Sequence, residues 1–278
     1  MSNEIKDFIE YLKRQGYSSV NTLVSYQRDL KKLSNHLELH SKNFLDATPE
    51  VLDEYVNSLL NQNVATSSIS RCTATIHKFY QYLTDIGKLK ENPALHLKAP
   101  HVEIKKPETL CEEEVERLIG SVKGNSPKAL RDRAILKVLY ETGLRVSELI
   151  ELEIEDVHLG FHNFIICRSK TTRTIDISLD VAEDLGQYLA HARAVFEKGR
   201  GAKQVFLNYS GNKLSRQGMW KILKTYGLKA EIDKEITPHT LRHSFAVHKL
   251  QEGVELEKIS LLLGHSDLST TKIYTSMI

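Results

Sequence analysis

Apolar residues recur at three- and four-residue spacing along nearly the whole chain, and the period is suspended in only two places, which restricts the fold to helices with little room for sheet. In "NEIKDFIEYLKRQG" the stripe is Ile5, Phe8, Ile9 and Leu12, with a stop at Gly16; in "SSVNTLVSYQRDLKKLSNHLEL" it is Leu23, Tyr26, Leu30, Leu33 and Leu37. A third helix is expected after the start signal "TPE" at Thr48, and a fourth, "TSSISRCTATIHKFYQYLTDIG", should end near Gly87. The first suspension, "NPALHLKAPHVEIKKPETL", has three prolines and no period, as a linker does. At 278 residues the chain is longer than most single cores, so the expectation is a helical domain over 1–99, a linker over 100–108 and a second domain over 109–278. The second suspension, "HNFIICRSKTTRTIDISL", flanks a polar centre with β-branched and aromatic residues, the pattern of a hairpin. Around it "CEEEVERLI", "KALRDRAILKVLYETG", "DVAEDLGQYLAHARAVF", "SRQGMWKILKTYG", "HTLRHSFAVHKLQEG" and "ELEKISLLLG" keep the helical period, and Gly143 is placed to cap its helix in the left-handed conformation. The fold class is therefore mostly α with a small β-sheet, the second domain being α+β.

No run is long and apolar enough for a bilayer, and the first residues lack a signal core, so a cytoplasmic protein is expected. Cys72, Cys111 and Cys167 are odd in number and far apart, which argues for reduced thiols over disulfides or a cysteine zinc site. Net charge is only +2, but its distribution is uneven. No acid lies between Glu54 and Asp85, where Arg71 and Lys78 stand, or between Asp156 and Asp176, where Arg168, Lys170 and Arg173 stand. The stretch Lys198 to Lys229, with Arg216 and Lys221, is also acid-free. Any one window could be an ordinary solvated face. Together they favour a surface turned toward a polyanion.

Short stretches hold the side chains suited to chemistry: "TGLRVSEL" with Arg145, "RSKTTRT" with Lys170, "HTLRH" with His239 and Arg242, and "LLGH" with His265, followed by Tyr274. Arginine forks bind the non-bridging oxygens of a phosphodiester and offset charge built in the transition state. A lysine or histidine can protonate a leaving oxygen, and a hydroxyl can attack. Each residue also has a plainer account. Arg145 and Glu148 could be a surface helix pair worth about 0.2–0.5 kcal/mol, Lys170 a solvated turn charge, His265 the start of a new turn, and Tyr274 a packing residue. His239 and His243 have the spacing of metal ligands on a helix, but "HTLRH" lacks the glutamate of a zinc peptidase and places Arg242 beside the supposed metal, so no metal is expected.

Taken together, these boxes resemble the tyrosine recombinase family, the phage integrases and Xer-type recombinases, in order along the chain. "YLKRQGYSSVNTLVSYQRDLKKL" and "TIHKFYQYLTDIGKLKENPA" resemble that family's helical, SAM-like core-binding domain. The resemblance implies a C-shaped clamp around duplex DNA and a site-specific recombinase working through a 3′-phosphotyrosyl intermediate and a Holliday junction. It implies Tyr274 as nucleophile, Arg145 and Arg242 as the phosphate clamp, Lys170 as acid for the leaving oxygen, His239 as proton assistant at the tyrosine and His265 as a phosphate hydrogen-bonder. Glu148 would orient Arg145. A phenol with an unperturbed pKa of about 10 is scarcely ionised at neutral pH, so its attack needs nearby cations and a proton acceptor. The covalent intermediate conserves the energy of the cut bond, so neither ATP nor another cofactor is implied.

The partners implied are a specific double-stranded site and a homo-tetramer, or hetero-tetramer with a related recombinase, on two sites, in the nucleoid. Arg71, Lys78, Arg168, Arg173, Arg216 and Lys221 are the expected DNA contacts. Many relatives carry "GKGxKxR" at the hairpin, and a gapless match through "RTI" would put Arg168 at the lysine's place; Lys170 is preferred because "SKT" resembles the integrase turn and an amine can lose its proton. Ser276 stands where many members have histidine, and only Thr275 to Ile278 follow the tyrosine, where relatives often have a segment that docks on a neighbouring subunit. The rival readings are a type IB topoisomerase and a catalytically silent DNA-binding accessory protein.

Overall fold

The computed structural model describes residues 2–17, 19–100, 106–168, 171–265 and 267–277, and the chain forms two compact units, Met1–Ile104 and Lys105–Ile278. The middle of the expected linker, 101–105, lies outside the described residues.

The first unit consists of α1 (Asn3–Arg14), α2 (Val20–Leu39), α3 (Pro49–Asn61) and α4 (Thr66–Asp85). Each buries the stripe its sequence announces: Ile5, Phe8 and Leu12 from α1, Leu30, Leu33 and Leu37 from α2, Leu52 and Val56 from α3, Ile76, Phe79 and Leu83 from α4. Pro49 sits in the first turn of α3, where its missing N–H is not needed. Among the described residues one charged side chain interrupts this core: Asp29 of α2 is buried, and Arg71 and Thr75 of α4 donate to its carboxylate. A buried carboxylate requires such partners, and these tie α2 to α4.

The second unit runs α5 (Glu112–Gly120), α6 (Pro127–Thr142), α7 (Val146–Glu151), β1 (Val157–His158), β2 (Asn163–Arg168), β3 (Thr171–Asp176), α8 (Leu179–His191), α9 (Arg193–Glu197), α10 (Arg216–Lys229), α11 (Pro238–Gln251), α12 (Leu256–Leu263), α13 (Ser269–Lys272) and a closing 3-10 turn, Ile273–Met277. The period of "DVAEDLGQYLAHARAVF" reads as one helix, but α8 stops at His191 and Ala192 breaks it from α9. The strands form one antiparallel sheet in the order β1-β2-β3, with Phe164 opposite Ile175 and Ile166 opposite Arg173. Those four side chains share the core face of the sheet, while Thr172, Thr174 and Asp176 face out, as the two-residue period of a strand requires.

Most of the second unit's buried residues form one core, and a smaller cluster of Phe245, Ala246, Val247, Ile259, Leu263 and Tyr274 lies beside it. α11 runs between the two, with Leu241 in the first and Phe245 in the second, and is buried nearly all round. Its polar side chains therefore need internal partners. Ser244 donates to the carbonyl of Thr240 and accepts from the N–H of Leu110, and His248 bonds the hydroxyl of Tyr140 at 2.8 Å. Among the described residues no helix is long and apolar enough to cross a membrane.

Candidate active site

Two helix ends make the site. α6 stops at Thr142 because Gly143 takes the left-handed conformation, φ 58°, and a Cβ there would lie 2.6 Å from Phe245 Cδ1 and 2.8 Å from Leu263 Cδ2. The chain then turns directly into α7, with Arg145 at its N-cap and the Arg145 N–H donating to Glu148 Oε2 at 2.8 Å. α12 ends in the same way at Gly264, φ 64°. A helix C-terminus leaves its last carbonyls without intrahelical partners and carries partial negative charge. At α12, Gly264 N–H takes the carbonyl of Leu261 and His265 N–H that of Ser260. The next three carbonyls accept from arginines: Leu262 from Arg173 Nε at 3.0 Å, Leu263 from Arg242 Nη2 at 2.7 Å, and Gly264 from Arg145 Nη2 at 2.7 Å. Arg242 also donates through Nη1 to the Gly143 carbonyl, at the end of α6, at 2.6 Å. "TGLR" and "LGH" thus work together: each glycine ends a helix, and the freed carbonyls hold the guanidinium groups.

Arg242 is buried, which together with the nearby charge of Arg145 lowers its guanidinium to about 10, still protonated at neutral pH. Arg145 remains partly open to solvent. Glu148 is buried, and burial pushes its carboxyl up, but the hydrogen bonds and charge of Arg173, the N–H of Arg145 and the charge of Arg145 outweigh this and hold it below the usual range. Its bidentate partner is Arg173, at 3.1 and 3.0 Å, whereas its side-chain contact with Arg145 is a single longer one at 3.4 Å. The expectation that Arg173 meets DNA is corrected here. Register puts it on the core face of β3, it is buried, and its guanidinium is engaged by Glu148 and Leu262.

α11 starts at Thr237, whose hydroxyl accepts from the Thr240 N–H, with Pro238 at its first position. His239 and His243 are successive on one face, with ring centroids 6.1 Å apart. His239 is exposed on one side, and the partial desolvation of its other side, followed by the charges of Arg242, Arg216 and Arg145, lowers its pKa. The ring at the phenol, however, is His243, whose Nδ1 lies 2.7 Å from Tyr274 Oη. The sequence offers His243 only as half of a metal pair that Arg242 argues against; its place as the last letter of "HTLRH" is the signal for it. Tyr274 is only 2% exposed, and its ring packs with Phe245 and Leu263. Burial raises its pKa, while Arg242 pulls the other way. His265 Nδ1 lies 2.7 Å from the hydroxyl of Thr271.

His243 and His265 are both pushed from 6.5 to about 4, chiefly by burial, then by His239 and Arg242 for the first and by Arg242, Arg145, His243 and Arg173 for the second. Both rings are neutral at neutral pH, and in the tautomer with the proton on Nε2 the phenol O–H donates to His243 Nδ1. The unfolded chain protonates these rings near 6.5 and the folded chain only near 4. The stability tied to their neutrality is therefore complete above the upper value and is lost as pH falls toward the lower. Thermal melting across this window should show the midpoint falling with pH, and His265→Asn should flatten part of that slope. An unchanged slope would contradict the neutral ring.

Ser169 and Lys170 lie outside the described residues, and so does the side chain of Arg168. Arg216 is exposed at the start of α10 and close enough to His239 to depress it; Lys221 is exposed on the same helix. In the first unit Arg71 is half-engaged by Asp29, and Lys78 donates to the Tyr17 hydroxyl at 2.8 Å. Among the described residues no three His, Cys, Asp or Glu side chains converge as a metal site.

A helical unit followed by an α+β unit that gathers two arginines, three histidines and a tyrosine around the ends of α6 and α12 and one face of α11 defines a tyrosine recombinase, an enzyme of DNA cleavage and rejoining. The chain belongs to the phage integrase family: the family's own pattern matches residues 108–277, and that of its N-terminal SAM-like domain matches residues 5–87. It is 40% identical to a tyrosine recombinase XerD of Halalkalibacterium halodurans, covering 99% of this chain and 93% of that one, and 37% identical to a XerD of Staphylococcus haemolyticus, covering 99% and 94%. Among solved structures, a XerA recombinase is 26% identical with a TM-score of 0.54, covering 99% of this chain and 93% of that one. A XerH site-specific recombinase bound to palindromic difH substrate in a post-cleavage complex shares the fold, with 19% identity and a TM-score of 0.78 over 98% and 81% of the two chains. Site-specific recombination by a tyrosine mechanism is the activity of this chain.

Proposed function

We propose that Tyr274 Oη attacks a scissile DNA phosphate, forming a 3′-phosphotyrosyl bond as the bond to the 5′ oxygen breaks. Arg145 and Arg242 bind the non-bridging oxygens, His265 donates a hydrogen bond to them, and Lys170 delivers the proton to the leaving 5′ oxygen. The phenol proton passes to an imidazole. His243 stands at hydrogen-bond distance for this, whereas the expected acceptor, His239, is one turn away. The observation that carries the reading is the anchoring of Arg145 and Arg242 on the carbonyls of Gly264, Leu263 and Gly143. Cations fixed before substrate arrives need no reorganisation as charge develops, which is the condition for strong electrostatic stabilisation. Because Tyr274 is buried, the segment carrying it shifts to admit the phosphate.

Duplex DNA with a specific site is the substrate, bound by both units: the first through the surface of α4 with Arg71 and Lys78, the second through α10 with Arg216 and Lys221. These contacts are to phosphates and position the protein without specifying sequence. Four subunits, identical or paired with a related recombinase, act on two sites and exchange strands through a Holliday junction, in the cytoplasm at the nucleoid.

The test is incubation with a nicked duplex carrying a recombination site, followed by denaturing electrophoresis and peptide mass spectrometry. A 3′-adduct on Tyr274, with recombinant product from two-site substrates, is expected. An adduct on another residue would refute the nucleophile, and product that is relaxed but never recombined would refute strand exchange.

A further inference from the structure

Tyr274 and a hydroxyl in hydrogen-bond contact with His265 come from one short segment. Thr271 is completely buried on α13, three residues before Tyr274, and its Oγ1 lies 2.7 Å from His265 Nδ1. A neutral imidazole holds one proton, on either nitrogen, and the hydrogen bond made by one nitrogen decides which tautomer is present. If Nδ1 carried the proton it would donate to Thr271, and Nε2 would be a bare acceptor facing the anionic oxygens of a phosphate. If the Thr271 hydroxyl donates to Nδ1, the proton sits on Nε2, which becomes a donor. Burial first, and then the charges of Arg242, Arg145, His243 and Arg173, which face His265 from α11, the N-cap of α7 and β3, keep the ring neutral. Charge alone therefore does not make it a donor, and tautomer control is needed.

We infer that Thr271 is a positioning residue: its hydroxyl donates to His265 Nδ1 and so fixes the ring in the Nε2–H tautomer that can hydrogen-bond the scissile phosphate. This rests on the phosphate-binding role given above to His265. Thr271 touches no reacting atom. Its second consequence is mechanical, since the group that orients His265 rides on the segment that carries the nucleophile.

A purely structural threonine and an orienting one respond oppositely to conservative change. Thr271→Val keeps the shape and removes the hydroxyl, whereas Thr271→Ser keeps the hydroxyl and removes a methyl. With a nicked site-bearing duplex, the valine variant should form the Tyr274 adduct about 10- to 100-fold more slowly, as for loss of a group that orients a ligating histidine. Its gel-shift affinity should be unchanged, and the serine variant should stay within about 3-fold of the parent, a change of well under 1 kcal/mol. Valine as fast as the parent, or serine as slow as valine, overturns the inference. Long-range proton–nitrogen correlation spectra of the unmutated, histidine-labelled protein give a second reading, which does not depend on the variants folding. His265 should show a protonated Nε2 and a bare Nδ1; a proton on Nδ1 overturns the inference. If the parent itself forms no adduct, the functional reading fails, and the spectrum still decides the tautomer.

Discussion

Tyr274→Phe is expected to form no covalent DNA adduct while binding a site-bearing duplex as the parent does. The ring sits in the cluster of Phe245, Ile259 and Leu263, and phenylalanine fills the same space, so packing is preserved. What is lost is the hydroxyl and its 2.7 Å bond to His243. A hydrogen bond of this kind contributes about 0.5–1.5 kcal/mol, so the melting temperature should move by only a few degrees. Nucleophilic catalysis has no substitute when the attacking atom is absent, and the loss should reach the detection limit. Adduct persisting in the variant would place the nucleophile elsewhere. A collapsed melting curve would show that the hydroxyl serves stability first.

The second large effect is expected at a residue with no chemistry of its own. Gly264→Ala must accommodate a Cβ 2.6 Å from Arg173 Nη1, 2.9 Å from its Cζ and 3.4 Å from Arg145 Nη1, at a φ of 64° that disfavours any side chain. A long side chain free to swing would yield cheaply, but Arg173 is buried and held by both Glu148 oxygens and the Leu262 carbonyl. Left-handed backbone costs an alanine about 1 kcal/mol, and forced overpacking about 1–3 kcal/mol more. A loss near 3 kcal/mol lowers the melting temperature of a unit of this size by roughly 6–12 °C. Cleavage should suffer more than stability, because the same displacement moves Arg145 off the Gly264 carbonyl. Misplacing a clamp by about 1 Å costs on the order of 100-fold. Measured at a temperature where the variant is fully folded, adduct formation should therefore still fall about 100-fold. Parent-like cleavage there would mean that Arg145 keeps its place without the carbonyl.

Much of this enzyme was legible locally. The three- and four-residue stripes, the proline-rich break and the single β-branched window are properties of neighbours in sequence, and they suffice for helices, strands and a mostly α class with a small sheet. Gly143 could be recognised as a helix cap for the same reason, since a left-handed cap is a local requirement. Arg145, Arg242, His239, His265 and Tyr274 could be singled out because they stand in short boxes, and the structure brings them into one unit.

Tertiary structure alone decided what each of these side chains touches. Arg173 belongs to an acid-free basic window and reads as a DNA contact, yet its position opposite Ile166 turns it inward to Glu148. The histidine at the phenol is His243 and not His239, because the arrival of the tyrosine's segment over α11 selects one turn and not the one before. Arg145 reaches a carbonyl 119 residues away and Arg242 one 99 residues away. A periodic pattern reports which face of an element is apolar, but not which carbonyl, ring or hydroxyl of a distant element will meet it. Those meetings depend on helix ends left with unpaired carbonyls and on how closely two glycines let the chains approach, and only the folded molecule settles them.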